Sequence, residues 1–233
     1  MKTNSLVAVI SGDLVKSTRL EGQRSAVIKG VKNSVEAARS RLAKKNCRLL
    51  FSDFYRGDAF QCALSDPRQA LWTIVYLRAE LLKLSGKTIH ADARFGLGLG
   101  TASEWNENNI TASDGEAFQL SGKALDSLKS SKEKYRRLRI LSPWPDKNSL
   151  LAVLAAWLDA AIQRWTREQA EAMSLFLDDK TQEEISKELH IRQPAVQTRL
   201  QTAGHFAVRE SMDYFGRVIN EMIIKPGVNN PGI

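Results

Sequence analysis

A pair of prolines divides the sequence into two parts with different hydrophobic patterns. Before Pro143, short apolar runs alternate with longer amphipathic segments, which predicts strands alternating with helices. After Pro145, the apolar residues recur at helical spacing only. Prolines this close together are typical of a boundary. The expected units are an α/β domain over residues 1–143, a connecting helix over 144–165, a helical domain over 166–225 and a tail over 226–233.

The order of elements in the first part predicts a particular sheet. We expect strands over 6–11, 48–54, 58–64, 90–100 and 137–141, and helices over 18–45, 66–83 and 116–129. This β-α-β-β-α-β-α-β order contains the split βαβ unit of ferredoxin-like folds. The predicted fold class is therefore α+β: an antiparallel sheet with helices on one face, followed by an all-helical C-terminal part.

Composition indicates a globular protein in a reducing compartment. Hydrophobic residues make up 43% of the 233 residues, enough to bury a sizeable core. The two cysteines, Cys47 and Cys62, lie in no metal-binding or redox spacing, so a disulfide framework is not expected. The longest late apolar stretch, over 150–165, is interrupted by Asp159 and Arg164 and is too short to span a bilayer. We expect a cytoplasmic protein without a membrane partner.

The net charge of +8 is unevenly distributed. Residues 1–143 carry 24 Lys and Arg against 14 Asp and Glu, whereas residues 144–233 carry 10 against 12. A basic chain suggests a polyanionic partner. The alternative is that these cations form an ordinary solvated surface.

Two aspartates occupy strand-end positions that could form a metal-binding site. Asp13 follows the first strand, and Asp58 lies at the turn between the second and third. These strands should be neighbours, so the two carboxylates are expected to approach each other, and their repulsion would favour a bound Mg²⁺. Alternatively, Asp13 caps a helix and Asp58 is an ordinary turn residue.

A phosphate group could bind beside these aspartates. The turn before the first helix exposes backbone N–H groups, which suit a phosphate. The nucleotide-binding candidates are Leu14, Lys16, Ser17, Thr18 and Arg56. A solvated turn arginine is an equally good interpretation of Arg56.

Four segments of the first part resemble class III nucleotidyl cyclases, in the family's order over roughly residues 5–142. They are Ile10-Ser11-Gly12-Asp13-Leu14-Val15-Lys16-Ser17-Thr18, Gly57-Asp58-Ala59-Phe60, Arg94-Phe95-Gly96-Leu97-Gly98-Leu99-Gly100 and Gly115-Glu116-Ala117-Phe118-Gln119. GGDEF-type cyclases share the same core fold. The resemblance implies that Asp13 and Asp58 hold two metal ions that activate a 3′-hydroxyl and bind a triphosphate.

The sequence departs from this cyclase pattern at three positions. The family's helix carries an Asn and, four residues later, an Arg that stabilises the transition state. The matching residues here are Gln119 and Lys123, and a lysine lacks the guanidinium fork. Phe54 replaces a lysine that selects adenine. The resemblance therefore implies metal binding more strongly than cyclisation, with Gln119 and Lys123 catalytic only if the protein is an enzyme.

The C-terminal part has the spacing of a helix-turn-helix. The sequences Thr166-x-x-Gln169 and Thr181-x-x-Glu184 are capping boxes that open helices over 166–177 and 182–190. The predicted apolar core of the motif is Ile185, Leu189, Ile191, Val196 and Leu200. Ser186 is the small residue expected where the two helices touch.

Two residues fit the turn and the start of the second helix. His190 stands at the turn, where a left-handed backbone is common. Pro194 stands in the first turn of the next helix, where its missing N–H has no cost. That helix is expected to continue through Phe206, Val208, Met212 and Tyr214, an apolar tail for the core or a dimer interface.

The outward residues of the second helix are of types that read base edges in double-stranded DNA. They are Arg192, Gln193, Gln197, Thr198 and Gln201. The motif resembles the helix-turn-helix of sigma-factor and LuxR-type regulators, which implies DNA binding, and a homodimer is expected. The alternative is a helix pair used only for packing or dimerisation.

Taken as a whole, the sequence resembles the SatD family of bacterial proteins. The resemblance includes Arg-Gly-Asp-x-Phe-Gln at 56–61 and Ser-Asp-Gly-x-Ala-Phe at 113–118. The leading hypothesis is a DNA-binding transcriptional regulator whose cyclase-like domain senses a nucleoside triphosphate or cyclic nucleotide, or drives dimerisation. The alternatives are an active metal-dependent nucleotidyl cyclase or transferase, and a scaffold in which neither site works.

Overall fold

The computed structural model describes residues 5–15, 24–55, 58–86, 91–106, 110, 113–129 and 135–224. In these ranges the strands are β1 (Leu6–Leu14), β2 (Leu49–Tyr55), β3 (Ala59–Leu64), β4 (Ala93–Thr101) and β5 (Leu138–Leu141). The helices are α1 (Arg24–Ala43), α2 (Ala70–Lys83), α3 (Glu116–Lys129), α4 (Pro145–Ile162), α5 (Arg167–Leu177), α6 (Gln182–Leu189), α7 (Gln193–Ala203) and α8 (His205–Ile224). The predicted α+β class and the order of the first eight elements are confirmed.

The five described strands form one sheet in the order β2-β3-β1-β4-β5. The pairs β2–β3, β3–β1 and β1–β4 are antiparallel, but β4 and β5 are parallel. The expectation of a wholly antiparallel sheet is therefore wrong at one edge. The reason is that α3 carries the chain back along the sheet between β4 and β5, as a crossover to a parallel strand requires.

Helices cover both faces of the sheet, so the expected single helical face is also wrong. Alternate residues of β1, such as Ala8 and Ile10, share a large apolar core with α1 and α2. The residues between them, Val7 and Val9, belong to a second cluster with Ala117 of α3. The polar residue Ser11, on that second face, hydrogen-bonds through its hydroxyl to Ser121 of α3 at 2.9 Å.

Three glycines of β4 allow α3 to lie directly on the sheet. A Cβ atom on Gly98 would stand 2.1 Å from the carbonyl oxygen of Ala117, and one on Gly96 would stand 2.4 Å from the backbone nitrogen of Leu125. Gly100 meets the same helix near its N-terminus. Any side chain at these positions would push the helix backbone away from the strand.

A buried ion network joins the sheet to the C-terminal helices. Arg78 of α2 has no exposed surface. Its Nη2 and Nε donate to Asp92 at 2.8 and 3.2 Å, and its Nη1 donates to Asp159 of α4 at 2.8 Å. The second carboxylate oxygen of Asp159 accepts from the backbone N–H of Arg137, just before β5. Four separate segments are thus held by one arginine and two aspartates.

The C-terminal helices pack on the sheet portion and share its large apolar core. Trp72 of α2 donates through its indole nitrogen to the carbonyl of Leu177 at 3.1 Å, and Lys83 donates to Ser174 of α5 at 3.3 Å. Within the described ranges no strand follows β5. None of the described helices has the length and apolar character needed to cross a membrane. The division of the chain into separate domains stays a prediction.

The contact between β4 and α3 gives a matched pair of substitutions. Gly98→Ala should lower the free energy of unfolding by about 1–3 kcal/mol, because the added methyl overlaps the backbone of α3. Gly122→Ala, within α3 itself, meets no atom within 4 Å. It should raise stability by about 0.5–1 kcal/mol through helix propensity. Urea denaturation of both variants measures the difference, and equal effects would contradict the close approach of α3.

Candidate functional site

Asp13 lies near the end of β1, in the middle of the sheet. Its Cα partners are Ala59 of β3 on one side and Arg94 of β4 on the other. The alternation along β1 places the Asp13 side chain on the face covered by α3. Its carboxylate pairs with Arg94 at 3.3 Å and with Lys129, the last residue of α3, at 3.5 Å.

Asp58 lies directly before β3, next to the strand partner of Asp13. Its backbone carbonyl accepts from the N–H of Leu14 at 3.1 Å, and this hydrogen bond holds the end of β1 beside the start of β3. Burial raises the pKa of Asp13, Lys129 lowers it, and the charge of Asp58 raises it again. The two aspartates thus interact electrostatically, in a group that also contains Arg94 and Lys129.

The residues around Asp13 fit a metal ion poorly. Both oxygens of the Asp13 carboxylate already face cations, because Oδ2 meets Arg94 and Oδ1 meets Lys129. The two positive charges balance those of Asp13 and Asp58 without a divalent ion. Within the described ranges, no group of three or more His, Cys, Asp or Glu side chains is arranged to hold a metal.

The helix α3 approaches Asp13 at its C-terminal end. Lys123, which the cyclase resemblance places in catalysis, lies six residues before Lys129, about 9 Å along the helix axis. Gln119 lies one turn further away, and both side chains are exposed. The catalytic role of Gln119 and Lys123 stays a prediction. Lys16, Ser17, Thr18 and Arg56 lie outside the described residues, and Leu14 is buried at the end of β1.

Sequence reasoning missed Arg94 and Lys129 as the neighbours of Asp13. Arg94 is recognisable only once the β1–β4 register is known, because it pairs with Asp13 across the strands. Its Nε is buried without a hydrogen-bond partner. Lys129 reaches Asp13 because α3 covers this face of the sheet, whereas the sequence predicted all the helices on one face.

Helices α6 and α7 form a compact pair with local geometry that the sequence predicts. Thr181 caps α6 in a full capping box with Glu184. His190 has a left-handed backbone with φ of 52°, and Pro194 lies in the first turn of α7. Ile185, Val196 and Leu200 are buried between the helices and α5. These expectations for caps, turn and apolar contacts are met.

All five predicted outward residues of this pair are exposed. They are Arg192, Gln193, Gln197, Thr198 and Gln201. The Thr198 hydroxyl donates back to the carbonyl of Pro194 at 3.0 Å. Arg199, one position further round α7, faces the body of the protein and approaches Glu171 at 3.7 Å.

The helix after the turn is shorter than expected. α7 ends at Ala203, and Gly204 adopts a left-handed backbone with φ of 73° that starts a new direction for α8. The expectation of one helix continuing through Tyr214 is therefore wrong. Glycine is the residue that takes this conformation at least cost, and its role as a helix C-cap was the available signal.

A comparison with known families finds a match over most of the chain. The profile of the SatD family matches residues 6–210. The chain belongs to the SatD family. The matched region begins with β1 and ends within α8, so it includes both the Asp13 group and the α6–α7 pair. No curated protein matches the sequence.

The raised pKa of Asp13 predicts how the folding stability of this SatD-family chain changes with pH. A carboxyl whose pKa is higher in the folded state stabilises the fold below its unfolded pKa, about pH 4, and loses that contribution as pH rises through the folded pKa. Asp13→Asn resembles the neutral acid and does not titrate. Its free energy of unfolding relative to wild type should therefore rise between about pH 4 and pH 7.

Urea denaturation at several pH values measures this difference. Asp126→Asn, an exposed aspartate on α3, is the matched control. A relative stability of Asp13→Asn that falls with pH would show that the ion pairs to Arg94 and Lys129 outweigh burial.

Proposed function

We propose that this protein is a sequence-specific DNA-binding regulator in which α6 and α7 act as a helix-turn-helix. The observation that supports this most is the exposed face of α7. Its polar residues are of the types that hydrogen-bond to base edges: glutamine for adenine, arginine for guanine and a threonine methyl for thymine.

The position of these side chains suits entry into a major groove. Recognition helices contact bases mainly with residues near their N-terminal end. Arg192 occupies the N-cap position of α7 without a capping hydrogen bond from its side chain, Gln193 is the first residue of the helix, and Gln197 follows one turn later. The N-terminal half of α7 therefore presents three candidate base-reading side chains.

The pair is held firmly to the rest of the protein, which favours specific binding. The indole nitrogen of Trp165 donates to the carbonyl of Ala203 at the end of α7, at 2.9 Å. His205 contacts the carbonyl of Leu200 through Nδ1 at 2.9 Å. A recognition helix fixed in this way loses little conformational entropy on binding.

One such motif offers few contacts, so we infer that the protein binds as a homodimer to a palindrome with half-sites about one DNA turn apart. The sheet portion would then supply dimerisation or nucleotide sensing. Either role is compatible with the altered residues Gln119 and Lys123, since neither requires catalysis.

The substitutions Arg192→Ala and Gln197→Ala test base reading directly. Each should weaken binding to the specific site by roughly 1–3 kcal/mol and relax the preference at one base position. Genomic fragments captured by the wild type supply the site, and gel shifts at fixed salt measure the affinities.

Matched controls are Arg24→Ala on α1 and Gln163→Ala at the end of α4, both exposed and outside the helix pair. Gln163→Ala should keep the wild-type affinity, and both controls should keep the wild-type base preference, because a phosphate contact from the sheet portion carries no sequence information. If no sequence is enriched, or if all four variants bind alike, the helix pair serves only for packing or dimerisation.

A metal-dependent nucleotidyl cyclase or transferase is the second candidate. The observation in its favour is that the charge of Asp58 acts on Asp13, so two carboxylates lie within electrostatic reach of each other. Mg²⁺ would have to displace Arg94 or Lys129 from Asp13 to bind there. Triphosphate binding could draw these cations away, because phosphate oxygens would compete with the aspartate for them.

Incubation with the four nucleoside triphosphates and Mg²⁺ or Mn²⁺, followed by product analysis, tests this candidate. If Asp13 holds metal, Asp13→Asn should abolish product and weaken nucleotide binding more in Mg²⁺ than in EDTA. Absence of product from the wild type under all these conditions would leave the aspartates a structural role.

A further inference from the structure

A groove runs along the junction between the sheet portion and the C-terminal helices. Two adjoining cavities of about 370 and 470 Å³ form it. They share Lys45, Trp72, Leu177 and Asp179. Each cavity has the size of a small-molecule site, and sites of this kind often lie between packed units of a protein.

The lining of this groove is cationic. Seven lysines and arginines face four aspartates along the two cavities, a local charge of plus three. Three of the aspartates are already neutralised: Asp66 by Arg68, Asp178 by Arg41, and Asp179 by Arg209.

Lys180 pairs with Glu188, so Lys44, Lys45 and Arg217 remain as lining cations without an ion pair among the described residues. Lys44 and Lys45 follow the C-terminus of α1 and line the first cavity, and Lys45 also lines the second cavity together with Arg217 of α8. The Lys45 ammonium stands 5.8 Å from the centroid of the Trp72 ring, and the Arg217 guanidinium 5.6 Å from that of Tyr214. Such contacts leave the N–H groups of both side chains available to an anion.

The groove has a rigid aromatic wall. The rings of Trp72 and Tyr76 stack at 5.1 Å with an angle of 5° between them. The Trp72 indole is fixed by its hydrogen bond to Leu177, and the Tyr76 hydroxyl accepts from Arg41 at 2.9 Å. The half-buried Trp72 therefore offers a flat, fixed surface beside Lys45.

We propose that this groove binds a small phosphorylated anion. Lys44, Lys45 and Arg217 would hold the phosphate oxygens by charge-assisted hydrogen bonds, and Trp72 would contact the rest of the ligand. Phosphate fits better than a carboxylate because its larger number of oxygens can accept from several of these cations at once. The proposal does not depend on DNA binding or on the Asp13 group.

Binding in this groove would strengthen the junction. Lys44 and Lys45 belong to the sheet portion, whereas Arg217 lies on α8, which continues from the α6–α7 pair. Arg41–Asp178 and Trp72–Leu177 already cross the groove at the end of α5. Helix α8 is held more weakly, since Arg68 reaches Asn220 at 3.3 Å between exposed side chains. A bridging phosphate would tie α8 to α1 and thereby stabilise the position of the C-terminal helices.

Isothermal titration calorimetry of the full chain with pyrophosphate and with ATP, both in EDTA and about 0.1 M salt, tests the site. We expect the wild type to bind at least one of them, and the double variant Lys44→Gln/Lys45→Gln to bind it about tenfold more weakly or worse. Lys29→Gln, at an exposed lysine of α1 outside the groove, is the control and should bind like the wild type.

Three outcomes would overturn the proposal. The first is no heat of binding from either anion at millimolar concentration, and the second is equal affinity of the double variant and the control. The third is found in a parallel titration with duplex DNA. If the duplex alone binds and its affinity falls in the double variant, the groove contacts a nucleic-acid backbone and not a small ligand.

Discussion

The arrangement of the molecule depends on the ion pairs that the guanidinium of Arg78 makes with Asp92 and Asp159. The guanidinium is fully buried and lies between two aspartates that belong to distant parts of the chain. Taking three charged groups out of water is costly, and the geometry must offset that cost with good hydrogen bonds. Removing one partner of a buried pair typically costs about 3–5 kcal/mol. The network is therefore a strong constraint on which segments can be neighbours.

Both candidate sites are positioned through this network. The backbone carbonyl of Asp92 accepts from the N–H of Val15 at 2.9 Å, which fixes the end of β1 where Asp13 lies. Asp159 holds α4 against α2 and the start of β5. The α6–α7 pair is attached through α5, which packs on α2, the helix that carries Arg78, so its position relative to the sheet depends on the same helix.

Local patterns in the sequence predicted the elements, and tertiary contacts explain what they did not predict. Periodicity, capping boxes and the proline in α7 are determined by neighbours within a few residues, so the helices, strands and the turn at His190 could be recognised. The face occupied by α3 depends on backbone contacts with Gly98, which no periodicity shows. The parallel placement of β5 and the Arg78 network also require knowledge of pairs far apart in the chain.

The charged residues around Asp13 also could be predicted from the sequence only in part. The sequence placed Asp13 and Asp58 at adjoining strand ends, and the register of β1 and β3 agrees with that expectation. It did not reveal Arg94 and Lys129, and these two cations change what the aspartates can do. A carboxylate with two ion pairs is a poorer metal ligand than one facing only another carboxylate, because binding a metal must first break those pairs.

The distribution of charge has a consequence for how DNA would be held. Affinity for a duplex comes largely from cations that neutralise phosphates, whereas base contacts set specificity. The C-terminal part carries two more acidic than basic residues, while residues 1–143 carry ten more basic than acidic ones. If α7 reads the bases, much of the phosphate contact must come from the sheet portion or a second protomer. Specific binding then requires both parts of the chain in their mutual arrangement, and an isolated α6–α7 pair would lack most of the affinity.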